Sequence, residues 1–518
     1  MNRQLLHYGP IPPNRQAKRL KMKHKYTPAL AIIAGMILTH LFFSLLVYRS
    51  NMNLHQNVSY VLDAGYLAVP NAHVLPDLVR IGTALKGALF FTLTIGVVLP
   101  FLVYFAAWSW DRGYRRNRAF LILLSGLVIF CMVMLNRNGF NPIVTLWFLT
   151  VYFTVFKLTL HSLEGVQTRL SSKQILTHLV VLLCLGAMWM TGQSRNNFFF
   201  SVRDHFLLSN SIGKSVTDFY YRYSPYPTEA YKPLIKKQLK TCRIEGEIHE
   251  ITRSRIETSL IRNDCLPVNA EDSTDFSIHV MENTLSFSVS GRTVCRADTG
   301  DFLKKPVDYL NRLSSRSDRN SFTRRMVGLS LFYGGLPLFF YACLFSCFQL
   351  IFRFLPLRTS GFLPSAAGCL VIGIGALILF KTVAPTSLPV SHVKAALSSV
   401  DVNTRIAALR TMAREGLNPT EYMTHAFSNT IDHIPERIWW AICLGNSPEP
   451  IANEVLIHLL DDPYPLVACK AYKSLGQKKY RPAIDAITEK IQTSRHWYVQ
   501  GTAYIALRSL GWTQQKSN

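Results

Sequence analysis

Apolar residues in this 518-residue chain gather into blocks that are long enough to cross a lipid bilayer. A spanning helix needs about 20 mostly apolar residues. Proline inside such a helix removes a backbone donor and clashes with the preceding turn, so Pro100 is expected to kink the second block. The pattern predicts a mostly α-helical, polytopic membrane protein. Its seven predicted spans lie near residues 28–48, 84–108, 119–135, 143–160, 175–192, 328–353 and 362–384.

The segment between the fifth and sixth spans has a mixed pattern that indicates a small α+β insert. The runs FSIHVM and TLSFSVSG alternate between apolar and polar residues and are separated by Glu-Asn, which predicts a β-hairpin. TEAYKPLIKKQLKTC predicts a short helix. Apolar residues at helical spacing in DFLKKPVDYLNRLSSR predict a closing helix.

The start of this insert contains an amphipathic stretch, SIGKSVTDFYYRY. Asn210 or Ser211 is expected to cap a helix there, and Pro225 to end it. Its mixture of apolar, aromatic and basic residues predicts a helix lying at the level of the lipid headgroups. A helix packed inside the insert is the alternative. The predicted apolar face consists of Ile212, Val216, Phe219, Tyr220 and Tyr223.

The last quarter of the chain contains a repeated phrase. Glycines at the ends of four helix-like runs are spaced by 29, 31 and 35 residues, at Gly416, Gly445, Gly476 and Gly511. Glycine after a helix is the expected C-terminal cap, because it accepts the left-handed conformation. Two-helix units with a period of about 30–45 residues are typical of α-solenoids. A plain helical bundle is the alternative.

This region resembles HEAT repeats over about residues 390–512. The best match is DDPYPLVACKAYKSLG, in which Asp462 opens the turn. Ala468 stands where that family usually has arginine, and the unit with Trp439 and Trp440 also departs from its pattern. The inner face of the second helix in the best match consists of Val467, Ala471 and Leu475. The resemblance implies a concave surface that contacts partner proteins.

These patterns divide the chain into five parts. A basic cytoplasmic tail precedes a five-span membrane region, the α+β insert, two further spans and the HEAT-like repeat domain. The corresponding ranges are 1–27, 28–192, 193–327, 328–384 and 385–518.

The net charge of +25 follows the membrane pattern, so we do not expect a nucleic-acid partner. Lysines and arginines fill the N-terminal tail and the loop at 111–118, and such clusters mark the cytoplasmic side of a span. They are also suited to anionic lipid headgroups. With a cytoplasmic N-terminus, the insert and the repeat domain are expected on the other side of the membrane. The expected membrane is the bacterial inner membrane.

The sequence contains few groups that could carry chemistry. It has no Cys-x-x-Cys motif, and no cofactor or metal is expected. If the insert is extracytoplasmic, a disulfide between Cys242 and Cys265 is the favoured pairing. His40 and His178 lie inside predicted spans, where hydrogen-bonded packing is the alternative to a functional role.

Two functions are compatible with this organisation. The favoured one is a membrane-anchored interaction or scaffold protein, not an enzyme, that presents its repeat surface to partners of an envelope complex. Its candidate contact residues are Trp439, Trp440, Trp497 and Tyr498, because aromatic residues are enriched at binding hot spots. Packing in the solenoid core would explain the same residues. The alternative is a transporter or membrane-embedded enzyme for a lipid-like or hydrophobic substrate.

Overall fold

The computed structural model describes residues 27–163, 172–193, 198–269, 274–354, 361–383, 388–422 and 431–516. These residues are mostly helical and contain one small mixed sheet. Almost all of the predicted basic tail, residues 1–26, lies outside the described residues. The chain divides into two compact units. The apolar unit comprises Met1–Phe43, Ala88–Gly186 and Phe322–Cys369, and the mixed unit comprises Ser44–Gly87, Ala187–Ser321 and Leu370–Asn518.

Helices dominate the chain up to the insert. In order they are α1 (Thr27–Asp63), α2 (Leu75–Leu78), α3 (Ile81–Thr92), α4 (Ile95–Trp108), α5 (Arg118–Asn136), α6 (Pro142–Leu163) and α7 (Ser172–Gln193). The insert follows with α8 (Phe198–Ser201), a π-helix (Val202–Leu207), α9 (Ser211–Tyr223), α10 (Pro225–Tyr231), β1 (Lys240–Glu245), α11 (Glu250–Arg262), β2 (Cys265–Pro267), β3 (Phe276–Met281), β4 (Thr284–Val289), β5 (Arg292–Asp298), α12 (Thr299–Lys304) and α13 (Pro306–Ser317).

The remaining helices complete the chain. They are α14 (Ser321–Leu329), α15 (Gly335–Phe354), α16 (Phe362–Val383), α17 (Val393–Leu397), α18 (Val402–Glu415), α19 (Ile434–Leu444), α20 (Pro450–His458), α21 (Pro465–Gln477), α22 (Ile484–Thr493) and α23 (Trp497–Ser509).

Three described helices are long and apolar enough to cross a membrane: Ala29–Asp63, Arg118–Asn136 and Pro142–Leu163. A fourth crossing is possible if the bent pair Ile81–Thr92 and Ile95–Gly113 forms one span. The three other predicted spans coincide with shorter apolar helices at Leu176–Met190, Pro337–Phe352 and Phe362–Ala376. The structure therefore supports a few candidate membrane helices and leaves the number seven unconfirmed.

The second predicted span bends at a different residue from the one expected. The axis turns by 47° between α3 and α4. The break lies at Thr94, whose hydroxyl donates to the carbonyl oxygen of Phe90 at 2.7 Å. Pro100 instead lies within α4 and packs against Gly35 of α1, where a Cβ atom would come within 2.6 Å of the proline ring. Its ring fills a close helix crossing.

The core of the apolar unit is aromatic where α1 meets α6. Trp147 is 1% exposed and packs edge-on against Phe43, with 4.9 Å between ring centroids. Its indole N–H donates to the Thr39 hydroxyl at 3.1 Å. The one polar atom of the indole is thus paired, as burial requires.

The sheet of the insert has the strand order β2-β1-β3-β4-β5. β1 runs parallel to β2 and β3, whereas β3-β4 and β4-β5 are antiparallel hairpins. The first hairpin pairs Met281 with Thr284 and confirms the predicted turn at Glu-Asn. A buried cluster that includes Phe276, Phe287 and Phe302 lies between the sheet and its helices.

Two helix predictions in the insert need correction. The predicted short helix ends early: α10 stops at Tyr231 and strand β1 already begins at Lys240. The predicted closing helix is divided at Lys305 into α12 and α13. Pro306 explains this division, because the residue before proline is disfavoured in the helical conformation.

The C-terminal helices form a stack. The helices α18, α19, α21 and α23, here called the inner helices, pack against one another in sequence order. Arg405 of α18 donates to Glu436 of α19 at 2.5 Å, and Arg437 of α19 donates to Asp462 at 2.7 Å. Asp462 also accepts from the backbone N–H of Tyr464 and so opens the turn, as predicted. Val467, Ala471 and Leu475 are fully buried.

The repeated glycines have two different roles. Gly416 has φ +66° and caps α18 in the left-handed conformation that the sequence predicted. Gly445 and Gly476 have no positive φ. A Cβ atom on Gly445 would lie 2.9 Å from the Ser474 hydroxyl, and one on Gly476 would lie 3.3 Å from the Cα of Ala506. Close helix packing therefore explains these two glycines.

Candidate functional site

A buried charged cluster lies where residues 198–207 meet the inner helices. Asp204 is 2% exposed. Its carboxylate accepts from the Arg203 Nε at 2.6 Å and from the indole N–H of Trp439 at 2.7 Å. Arg410 places a guanidinium nitrogen 3.6 Å from the same carboxylate. The buried carboxylate of Asp204 is therefore contacted by the adjacent residue Arg203 and by one side chain from each of the inner helices α18 and α19.

The two arginines also share the aromatic ring of Trp439. The Cζ atoms of Arg410 and Arg203 lie 5.3 and 5.7 Å from the centre of this ring. Arg203 additionally lies 5.4 Å from the ring of Phe200. Arg410 donates from both terminal nitrogens to the Ser201 hydroxyl at 3.2 Å. Cation–π contacts of this kind strengthen when the cation is desolvated.

His205 extends the polar contact to Asn403. It is 8% exposed, and its Nδ1 lies 2.8 Å from the Oδ1 of Asn403. Burial lowers the pKa of His205, while the hydrogen bond to Asn403 opposes that shift and the charge of Arg410 adds to it. Arg203, Asp204 and His205 all lie in the π-helix, a rare conformation that is frequent at functional sites.

The chain's own residues contact most of the aromatic side chains predicted to bind a partner. Trp439 packs against Phe200, and Trp497 packs against Tyr226, at 5.5 and 5.0 Å between ring centroids. Tyr498 is half-buried and lies 4.8 Å from Tyr221. The exposed fractions of Trp439, Trp440 and Trp497 are 8%, 5% and 6%.

The burial of these three tryptophans favours the alternative explanation, packing inside the protein, over contact with a partner. A side chain that is already enclosed by its own chain offers no surface to another protein in this conformation. These contacts could not be predicted from the sequence, because the contacting residues are more than 200 positions apart. The one local signal was the charged triplet Arg203-Asp204-His205, which follows three phenylalanines after a gap of two residues.

Helix α9 has the two faces that the sequence predicted. Asn210 caps it by accepting from the backbone N–H of Gly213 at 2.8 Å. Thr217 is 4% exposed on the inward face. On the outward face Ile212, Val216 and Tyr220 are 78%, 55% and 50% exposed, while Phe219 and Tyr223 are half-buried. As predicted, α9 stops just before Pro225, at Tyr223, and Pro225 itself begins α10.

The insert keeps its cysteines as thiols. Cys242 and Cys265 are both free and buried. Along the parallel pair β1–β2, Cys265 lies opposite Lys240, and Cys242 lies opposite Pro267. The two cysteines are therefore two positions out of register, and the predicted disulfide is not formed. Burial raises the pKa of the Cys265 thiol to about 12.

The two histidines of the apolar helices are hydrogen-bonded to neighbouring helices. His40 Nδ1 lies 3.0 Å from the Thr92 hydroxyl, and His178 Nδ1 lies 2.6 Å from the Tyr341 hydroxyl. Across the part of the chain that the structure describes, no group of three or more His, Cys, Asp or Glu residues is arranged to hold a metal ion. Hydrogen bonds between helices thus account for both histidines.

Comparison with known proteins adds no family. Neither a protein-family profile, nor a curated protein, nor a solved structure matches this chain. A function must therefore be inferred from the chemistry of the charged cluster and from the packing of the inner helices.

Proposed function

We propose that this chain is a membrane-anchored interaction protein whose HEAT-like repeat helices serve as a scaffold. The observation that supports the proposal most is the contact between the inner helices and residues 198–231. These helices bind a segment of their own chain through Asp204, Trp439 and paired aromatic rings. A repeat array that binds one helical segment in this way is suited to organising others.

Because the inner face is occupied, we propose that partners of an envelope complex contact the remaining surface of the repeats. Large apolar side chains are exposed there at Val400 and Ile451, with exposed fractions of 96% and 55%. Val400 precedes α18, and Ile451 lies in the first turn of α20. Exposed apolar residues at an interface contribute by burial against the partner.

The membrane part of the proposal is a seven-span anchor in the bacterial inner membrane. The three long helices, the bent pair and the three shorter apolar helices would supply the crossings. The N-terminus would be cytoplasmic, and the repeat domain would lie on the opposite side. Topology reporters fused after residues 300 and 518 test this sidedness, and a cytoplasmic signal from either fusion contradicts it.

Helix α9 would lie on the membrane surface. Its last residue, Tyr223, contacts Lys86 of α3, with 3.0 Å between the hydroxyl and Nζ. A Cβ on Gly87 would lie 3.2 Å from Pro227. These contacts tie α9 and α10 to the beginning of an apolar helix pair. Exposed Lys214 and Arg222 are suited to anionic headgroups beside the apolar face.

The scaffold function is tested by copurification from native membranes. Ile451→Asp should reduce recovery of partner proteins by about tenfold, because it places a charge in an apolar contact worth about 1.4 kcal/mol or more. Ile251→Asp is the matched control, since Ile251 is 66% exposed in α11 of the insert. Unchanged recovery with both Ile451→Asp and Val400→Asp would contradict the proposed surface.

A further inference from the structure

Three inner helices place a functional side chain at the same position. Arg410, Trp439 and Lys470 each lie six residues before the repeated glycine of their helix, namely Gly416, Gly445 and Gly476. Because α18, α19 and α21 pack side by side, this spacing creates a row across the inner face. Two members of the row are cations, and the member between them is an indole.

Residues 198–207 add charge to this row. Arg203 lies against Trp439, while Asp204 accepts hydrogen bonds from Arg203 and Trp439. Within this row and residues 198–207, three cations, Arg203, Arg410 and Lys470, thus accompany one carboxylate, that of Asp204. Burial disfavours the charged form of His205, because it lowers the pKa of this imidazole. With all three cations charged, the cluster has a net charge of about +2.

Burial makes this excess costly. The side chains of Arg203 and Arg410 are only 11% and 12% exposed. Buried charges normally require a paired charge and hydrogen bonds for every donor. The Nη2 atom of Arg203 is buried and has no hydrogen-bond partner in the described part of the chain. Burial, followed by the charges of Arg203 and Lys473, lowers the pKa of Lys470, which is the response of a lysine in a cationic environment.

We propose that the row binds an oxyanion of the phosphate class between Arg203, Arg410 and Lys470. Such an anion supplies the missing negative charge and several acceptor oxygens for guanidinium and ammonium donors. Ser201 offers a hydroxyl beside Arg410. The phosphate can belong to a free phosphorylated compound or to a phospholipid headgroup, and both present the same oxygens to the cluster.

The test measures thermal unfolding of the full-length protein against the concentration of inorganic phosphate. A ligand that binds only the folded state raises the melting temperature as its concentration rises. Lys470→Gln should raise the half-maximal phosphate concentration about tenfold, because it removes a charge-assisted hydrogen bond. Lys394→Gln is the matched control, since it removes one exposed lysine from α17 of the same domain. Potassium chloride at equal ionic strength controls for screening.

A second arm identifies the source of the phosphate. The same proteins are placed in nanodiscs of phosphatidylglycerol or of phosphatidylcholine without free phosphate. Stabilisation by inorganic phosphate in detergent indicates a free ligand, and stabilisation only by phosphatidylglycerol indicates an anionic headgroup. Arg410→Lys should retain binding in either case, because it keeps the charge. The proposal is overturned if neither probe stabilises the wild type, or if Lys470→Gln and Lys394→Gln respond alike.

Discussion

At the scale of single residues, buried polar side chains join parts of the mixed unit that are far apart in sequence. Asn71 is 5% exposed, and its Nδ2 lies 2.7, 2.8 and 2.9 Å from the carbonyl oxygens of Ile491, Gln492 and Ser494. Its backbone N–H donates to the side chain of Gln500. The side-chain amide of Asn71 thereby connects the segment between α1 and α2 to the C-terminal end of α22.

Replacing the side-chain donor of Asn71 by an acceptor should strongly destabilise the folded protein. In Asn71→Asp a carboxylate faces three carbonyl oxygens, and we expect a loss of about 3 kcal/mol or more in the free energy of unfolding. Asn71→Ala should lose about 1–3 kcal/mol, because it only leaves the carbonyls unpaired. Denaturant unfolding measures both. Asn446→Asp is the exposed control, and equal stability of the two Asp variants would refute this role.

His496 should make the repeat sensitive to acid. Burial, together with the charge of Arg222, lowers the pKa of His496 from 6.5 to about 4. Between pH 4 and 6.5 the folded state therefore binds fewer protons at His496 than the unfolded state does. The contribution of His496 to the free energy of unfolding is constant above about pH 6.5 and falls as the pH drops toward 4. The loss should reach about 3 kcal/mol in total. His496→Gln should flatten this part of the stability profile, and an unchanged slope would exclude His496 as its cause.

At the scale of elements, α9 presents different chemistry on its two sides. Val216 faces outward and is 55% exposed, whereas its neighbour Thr217 is 4% exposed and donates to the carbonyl of Gly213. The adjacent positions allow the two faces to be tested with the same substitution.

Val216→Asp should leave the melting temperature of the detergent-solubilised protein nearly unchanged but weaken contact with lipid. Thr217→Asp should lower the melting temperature, because it buries a charge. Contact with lipid is measured by the quenching of a fluorophore attached at position 212 by brominated lipids. Equal quenching in Val216→Asp and wild type would argue that α9 does not lie on the membrane.

The elements that could be predicted are those whose signal is local. The apolar blocks, the hairpin around Glu282 and Asn283, and the cap at Asn210 all depend on neighbouring residues. Strands β1, β2 and β5 escaped prediction because their pairing is set by contacts across the sheet. The break at Thr94 also lies at a long-range contact, because a Cβ atom on Gly335 would come within 2.8 Å of the Cα of Thr94.

The charged cluster was only partly predictable. The sequence pattern indicated Trp439 as a candidate contact residue but assigned no role to its partner Asp204. Their contact depends on a chain reversal between positions 204 and 439, which no local pattern encodes. The burial of Trp439 and Trp497 depends on contacts of the same long-range kind.

At the scale of the whole molecule, the mixed unit unites the insert with the repeat. Tyr504 of α23 donates to Asp264 at 2.6 Å, and Gln238 donates to the backbone of Gly501 at 2.7 Å. Arg508 also reaches the carbonyl oxygen of Arg262. The C-terminal helices therefore pack against the insert of the same chain, and we propose that their outer surface contacts other proteins.

Photo-cross-linking in native membranes tests this account most directly. A photoreactive side chain at position 498 should link to residues around Tyr221 of the same chain, because the two rings are 4.8 Å apart. The same group at position 451 should instead link to another membrane or envelope protein. Intermolecular products from position 498, or only intramolecular products from position 451, would contradict a scaffold whose inner face is occupied and whose outer face binds partners.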